Sequence, residues 1–454
     1  MQKIVTETNK YAIQSGSAFR TSLEAIERYV GLLLRMGIVH MPRYRMYWST
    51  ELRYSAIADY MSRKEFEDHG RYIHFNDNVR LVTSRKDPEY DQLYKIRPLL
   101  DSLRKQCLLV APEQRQSVDE QIIPFKGKNR LRQYLPKKPK RWGFKVIARC
   151  CSQTGFTHDF TLYQGSAPDL VEEESIGYQP PDFVIQLCKS LPQHKNYIVY
   201  FDNWFNFPEL QIRLKSLGFY SGHTLRKQAA RLRVEVRVRF AQGRPWSMTA
   251  RSTQTADSAL LWYDNRAVQV SATHAAIHPI RILKRWDNKD KKFVEVQCPA
   301  AITEYNSHMG GVDLFDMLSA IYRIDHKSVK WYRRIFYWAL NVACINSWIL
   351  YKRHCSQLAV AEKDYLDLLG FVTQVSQCLI VANKPTAPLA RKRGRPSSYA
   401  SQEEETGDSD EARDKRKFTS APLPEIRLDN VGHLPLHTTE KGRCIGTARS
   451  VSFV

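Results

Sequence analysis

The sequence predicts a mixed α/β (α+β) protein with helical segments on either side of a strand-rich middle and a tail of non-globular composition. Three observations carry this. Apolar residues recur at helical spacing before about residue 105 and again after about 300. Short strand-like apolar runs fill 118–220, and after about 380 the composition breaks into a basic run and then an acidic one. At 454 residues and 52.9 kDa the chain can form more than one domain. The predicted divisions are 1–115, 116–222, 223–300, 301–320, 321–378 and 379–454.

The first division reads as helical. Thr21-Ser22-Leu23-Glu24 offers a capping residue before Ile26, Val30, Leu33 and Leu34, which fall on one helical face. Pro42 stops that helix, and short helices are expected between Thr50 and His69. The amphipathic piece Met61–Phe66 has a basic edge; it reads equally as a packing helix or as a phosphate contact.

Val118, Ile122 and Ile123 predict a first strand, and Lys126–Lys145 reads as a loop after it. Phe144–Cys151 and Phe156–Tyr163 flank Gly155, which predicts an antiparallel hairpin. Pro180-Pro181 opens a helix with Phe183, Val184, Leu187 and Leu191 on its apolar side. Tyr197–Phe201 is a continuous apolar run suited to a buried strand, and it ends on Asp202-Asn203. A helix over Phe207–Leu217 and a short extended piece at Phe219-Tyr220 follow. Three antiparallel strands, a helix and a buried strand ending on an acid is the element order of a ribonuclease H-like core. In that order the first and fourth strands are neighbours, so Asp119 and Asp202 would converge.

Residues 223–300 read as a small, mostly β insertion. Arg226, Lys227, Arg231, Arg233, Arg237 and Arg239 precede Leu260–Tyr263 and Val268–Val270, two strands joined at Asp264-Asn265. A long helical region starts at Glu304. With a helix beginning near Gly311, Asp313 and Asp316 share one face at i, i+3. Phe336–Leu350 is apolar but interrupted by Asn341, Asn346 and Ser347, and it falls short of the roughly 20 residues of a membrane span; it reads as a buried helix. In the tail, Arg391–Pro396 reads as an AT-hook-like core, a nuclear localisation signal or a solvated linker.

Lys plus Arg outnumber Asp plus Glu by 69 to 47, a net charge of +22, so a polyanionic partner is expected, nucleic acid before a membrane surface. The candidate phosphate contacts are Lys126, Lys128, Arg130, Arg132, Lys137, Lys138, Lys140 and Arg141, with Arg393 and Arg395 in the tail. Tyr134 and Trp142 are interleaved among them; Trp142 is expected in the core, with base stacking as the alternative. Nine cysteines without a C-x-x-C pair indicate neither a disulfide framework nor a complete zinc site, and they fit a reducing compartment. Asp119, Asp202 and Asp313 form an all-oxygen candidate set, which suits Mg²⁺ or Mn²⁺ and two-metal phosphodiester chemistry better than Zn²⁺. Asp316 is a helix-surface charge or a group steadying Asp313.

Several separated blocks resemble the piggyBac transposases and the piggyBac transposable element-derived proteins. They are Asp119-Glu120 with Phe125-Lys126-Gly127; Lys138-Pro139 with Trp142-Gly143-Phe144-Lys145; and Asp202-Asn203-Trp204-Phe205. Trp262-Tyr263-Asp264-Asn265 and Glu304-Tyr305-Asn306 through Met309-Gly310-Gly311-Val312-Asp313 to Asp316 complete them. The resemblance implies a DDE-superfamily transposase, a ribonuclease H-like core interrupted by a β-rich insertion, with metal ligands at Asp119, Asp202 and Asp313 and a further acid at Asp316. It implies a nuclear homodimer on double-stranded DNA, cleaving and joining at TTAA-type sites, without a membrane. It also assigns 1–115 and 321–378 to dimerisation and DNA binding. The chain departs from the pattern after Asp202, with Asn206-Phe207 and Gly222–Arg226. Its C-terminal Cys/His module is only begun, at Gly432–His437 and Lys441–Cys444, so no zinc is expected. Two readings follow: a working metal-dependent transposase, or a domesticated DNA-binding protein with vestigial chemistry. The basic run disfavours a scaffold without DNA.

Overall fold

A computed structural model describes residues 1–224 except 137, 166, 168 and 169, then 248–252, 258–263, 267–275, 278–287, 290–381, 434–437 and 444–448. Residues 1–391 form one compact unit and 392–454 a second. Lys137, Arg226–Arg239, Arg391–Pro396 with Arg393 and Arg395, and His433 lie outside the described residues.

The first unit begins with α1 (Gln2–Gln14), α2 (Leu23–Ile38), α3 (Ser55–Ala58), α4 (Arg63–Tyr72) and α5 (Arg97–Leu108). The Ser22 hydroxyl accepts from the Ala25 amide at 3.3 Å, so the expected cap starts α2. Ile26, Val30, Leu33 and Leu34 are buried as their spacing predicts, but so are Leu32 and Met36.

The strands are β1 (Arg115–Pro124), β2 (Arg132–Tyr134), β3 (Trp142–Cys151), β4 (Thr157–Leu162), β5 (Ile198–Phe201) and β6 (Tyr220–Thr224). α6 (Gln179–Cys188) and α7 (Pro208–Ser216) precede β5 and β6. β3 lies antiparallel to β1 and carries β2 and β4 on its other edge; β5 runs parallel to β1 and β6 parallel to β5. Each parallel pair needs a crossover, which α6 and α7 provide. The insertion extends this sheet with β7 (Met248–Ser252), β8 (Ser258–Tyr263) and β9 (Ala267–Ala272), β9 pairing with β6. A separate hairpin follows, β10 (Arg281–Asp287) and β11 (Lys292–Cys298).

α8 (Ala300–His308), α9 (Gly311–Ile321), α10 (Trp331–Gln357) and α11 (Leu368–Val381) complete the unit. α11 lies against α2, where Arg35 donates to the Ser376 hydroxyl at 3.2 Å, so residues far apart in sequence share one helical body. No described helix is long and apolar enough to cross a membrane. In α10 the interrupting Asn346 is buried, and its side chain accepts from the Thr157 amide at 2.9 Å and donates to the Thr157 carbonyl at 2.8 Å. The polar residue in an apolar helix thereby satisfies a backbone pair of β4. In the second unit, β12 (Leu434–His437) pairs with β13 (Cys444–Ala448), His437 opposite Cys444.

Strand alternation divides the sheet between two cores. Val118, Ile147, Val199 and Phe201 pack with α6 and α7, while Ile123, Val146, Ala148 and Phe160 pack with the helical body. Arg149, paired with Val118, is buried in the first core. Its guanidinium donates to the Leu187 carbonyl (3.0 Å), the Gln116 side-chain oxygen (2.7 Å) and the Ser190 hydroxyl (2.9 Å). Ser190 in turn donates to Asp159, which Arg104 of α5 holds at 2.5 Å. Arg149→Ala would strand these acceptors in the interior, so urea denaturation is expected to show a loss of about 3–5 kcal/mol.

Three expectations are corrected. The segment between the first strand and the hairpin is not all loop: β2 pairs with β3, Tyr134 opposite Trp142. Trp142 is not a core residue, since it stands 43% exposed at the start of β3. The piece at Phe219-Tyr220 is a full strand through Thr224, because it finds partners in both β5 and β9.

Candidate active site

The site forms where β5 stops and β1 continues. Val118 is the last β1 residue paired with β5, opposite Phe201, so Asp119 and Asp202 are the next residues along adjacent parallel strands. Open α/β sheets place their ligands outside such carboxyl ends. Asp202 is held by a turn in which its Oδ1 accepts from the Trp204 amide at 2.8 Å. Asp119 accepts from the Glu120 amide at 2.7 Å.

α8 and α9 bring the remaining acids. Glu304 of α8 pairs with Arg115 at the start of β1 (3.7 Å) and with Arg281 of β10 (3.3 Å). Gly311 begins α9 against the sheet; a Cβ there would lie 2.5 Å from both the Cys151 carbonyl and the Ser117 hydroxyl. Only glycine allows α9 this approach. Gly311→Ala is expected to lower stability by about 1–3 kcal/mol in urea denaturation, because the helix must lift from β1 and β3. One turn apart on α9, Asp313 is exposed and Asp316 half-buried.

Lys138 lies among these carboxylates, its Nζ 3.8 Å from Asp313. Burial disfavours its ammonium form, but attraction from Asp119, Glu120, Asp313 and Asp316 outweighs burial and raises its pKa. Lys145 of β3 lies on the other side, its Nζ 3.3 Å from the centre of the Trp204 ring. Burial lowers its pKa, with Glu120, Asp119 and Asp202 opposing.

The acids themselves are short of positive charge. Burial pushes Asp119 well above the ordinary carboxylate range, Glu120 adds to this, and Lys138 opposes it. Burial likewise raises Asp202, against the Trp204 amide, with Glu120 raising it further. Burial pushes Asp316 up to about 7 despite Lys138. Burial raises the Tyr305 phenol, and Asp202, Asp119 and Asp313 add to it. The buried Glu120 Oε2 has no hydrogen-bond partner among the described residues.

This donor set suits a divalent cation: hard carboxylate oxygens, one buried and unpartnered, in a pocket where burial outweighs the lysine charges. Among the described residues, however, no three His, Cys, Asp or Glu side chains are drawn together closely enough to hold an ion. Asp119, Asp202, Asp313 and Asp316 therefore share one region, with a lysine ammonium inside it.

The other predicted residues separate into two groups. Lys126, Lys128, Arg130, Lys140 and Arg141 are exposed along the β1–β3 connection. Arg132 is fixed instead, donating to the Lys126 and Gly127 carbonyls at 3.2 and 3.1 Å. Sequence reasoning placed Lys138 on DNA rather than among the acids, and it did not single out Glu120, Lys145 or Tyr305 as site neighbours. The adjacency of Glu120 to Asp119 was the available signal for Glu120.

Comparison with known proteins adds a family. Residues 1–348 match the family model described as Transposase IS4. The chain is 27% identical over 462 residues to PiggyBac transposable element-derived protein 3 of Homo sapiens, covering 100% of this chain and 71% of that protein. It is 25% identical over 451 residues to PiggyBac transposable element-derived protein 2 of Homo sapiens, covering 97% and 69%. Among solved structures it resembles a piggyBac transposase synaptic complex with hairpin DNA, with a TM-score of 0.71 and 20% identity over 84% of this chain and 77% of that one. At that identity the likeness speaks for the fold.

Proposed function

Because the chain belongs to the piggyBac-type Transposase IS4 family, we propose that it is a DNA strand-cleaving and strand-joining protein with a ribonuclease H-like core. The strand order β4-β3-β1-β5-β6 and its directions support that core. One observation carries the function: an acid of β1, the acid that follows β5 and the acids of α9 share one region at the end of the sheet beside a basic ribbon. Asp119, Asp202 and Asp313, with Asp316 beside them, would hold Mg²⁺ or Mn²⁺. Such ions activate an attacking water or 3′-hydroxyl and stabilise the leaving oxygen of a phosphodiester. Lys138 and Lys145 flank the acids and limit their mutual repulsion. Lys126, Lys128, Arg130, Lys140 and Arg141 provide phosphate contacts that position the duplex, and TTAA-type sites are its proposed substrates. A nuclear homodimer acting on paired DNA ends fits this chemistry, and a synaptic complex has been solved for the similar structure.

A second reading has its own observation. The Lys138–Asp313 contact and the acids' open spacing suit a domesticated protein that binds DNA without cutting it.

Duplex affinity measured against salt tests what both readings share. With about six phosphates neutralised, affinity is expected to fall roughly 10³-fold between 50 and 200 mM salt. A flat curve would sink both.

A further inference from the structure

Tyr134 and Trp142 stand outside the core, 48% and 43% exposed, at the open end of the β2–β3 ribbon. Their ring centroids are 4.8 Å apart, and the Arg132 guanidinium lies 4.3 Å over the Trp142 ring. Arg132 is itself tied to two carbonyls. These bonds hold the guanidinium in place over the ring, and holding a partner in its bound position lowers the entropy lost when something stacks on it.

Trp142 also lines a groove of about 660 Å³ between this ribbon and the α9–α10 connection. Its cations include Lys126, Lys140, Arg141 and Lys327, none paired with a carboxylate among the described residues. The one acid among its described lining residues, Asp325, is engaged by Arg323 (3.7 Å) and Arg334 (3.2 Å). An adjoining cavity of about 280 Å³ shares Pro124, Pro139, Lys140, Arg323 and Arg334 with it and reaches Lys138 and Asp316. The two cavities therefore adjoin between Trp142 on one side and Lys138 and Asp316 on the other.

We propose that this groove holds an unpaired nucleotide of a DNA strand, its base stacked on Trp142 and its phosphates on the basic wall, feeding that strand to the acids. Duplex DNA offers its phosphates to such a wall but keeps base faces inside the stack, whereas an extruded or single-stranded base exposes one. A volume of this size accommodates a nucleotide. The proposal rests on the DNA-acting reading above and adds the strand state of the substrate.

The test uses the full chain, a blunt duplex, and the same duplex carrying a short single-stranded extension with 2-aminopurine. Wild type is expected to bind the extended DNA more tightly and to quench the 2-aminopurine. Trp142→Ala is expected to weaken extended-DNA binding about ten- to hundredfold and to abolish the quench, with at least tenfold less loss on blunt duplex. Trp142→Phe should restore most of both, and because Trp142 is exposed the variants are expected to fold. Equal loss on both DNAs, no preference for the extension, or a quench that survives Trp142→Ala overturns the proposal. Equally strong competition by an acidic peptide also overturns it. Failure of wild type to bind either DNA overturns the parent reading itself.

Discussion

Asp202→Asn is expected to lower Mg²⁺-dependent strand cleavage by about 10³-fold or more, with duplex affinity changing far less. Asn keeps the acceptor that holds the turn at Trp204, so the change isolates the charge from the local fold. A ligand carboxylate in a two-metal phosphodiester site is worth several kcal/mol of transition-state stabilisation, and 1.36 kcal/mol is tenfold in rate. The measurement is a nicking assay in Mg²⁺ on a TTAA-containing duplex, with protein and variant at matched occupancy. Equal nicking by the two would remove Asp202 from the chemistry. No nicking by wild type, with its salt-dependent binding intact, would select the domesticated reading.

The second large effect concerns stability without metal. Asp316 is pushed up to about 7 in the folded chain from an ordinary 3.8. Between those values the unfolded chain has lost a proton that the folded chain retains, so stability falls as pH rises from about 4 to 7 and stays low above. Asp316→Asn cannot ionise. In EDTA at pH 8 it is expected to exceed wild type by on the order of 2 kcal/mol in urea denaturation, with the difference gone near pH 4. Mn²⁺ at about a hundred times its Kd should add about 2.7 kcal/mol to wild type and less to the variant. The variant-to-wild-type difference must be compared, because buried histidines titrate in the opposite sense. Burial lowers His74 to about 4 and His223 and His326 to about 3, so they reduce stability as pH falls below 6.5. A less stable Asp316→Asn at pH 8 would show that the carboxylate is neutralised by its neighbours.

Much of the fold was legible because its signals are local. The cap at Ser22, the apolar run of β5 and the turn at Gly155 each declare themselves within a few residues. β2 was not legible: three residues carry no periodicity, and its strand state comes from pairing with β3. Trp142 misled for a related reason. An aromatic among cations looks like a core residue until its strand is seen to end at an open edge.

By itself the sequence determined the order of strands and helices, the basic balance of the chain, and the acids at a strand end and on a late helix. Periodicity, charge and turn chemistry are properties of neighbouring residues. Only the tertiary structure decided the pairing that sets Val118 beside Phe201 and so Asp119 beside Asp202. It also decided the close approach of Gly311 to β1 and β3, and the position of Lys138 among the acids rather than out on the basic surface. Those depend on contacts between segments up to about two hundred residues apart, where burial raises the cost of each charge and the distances fix which neighbours offset it.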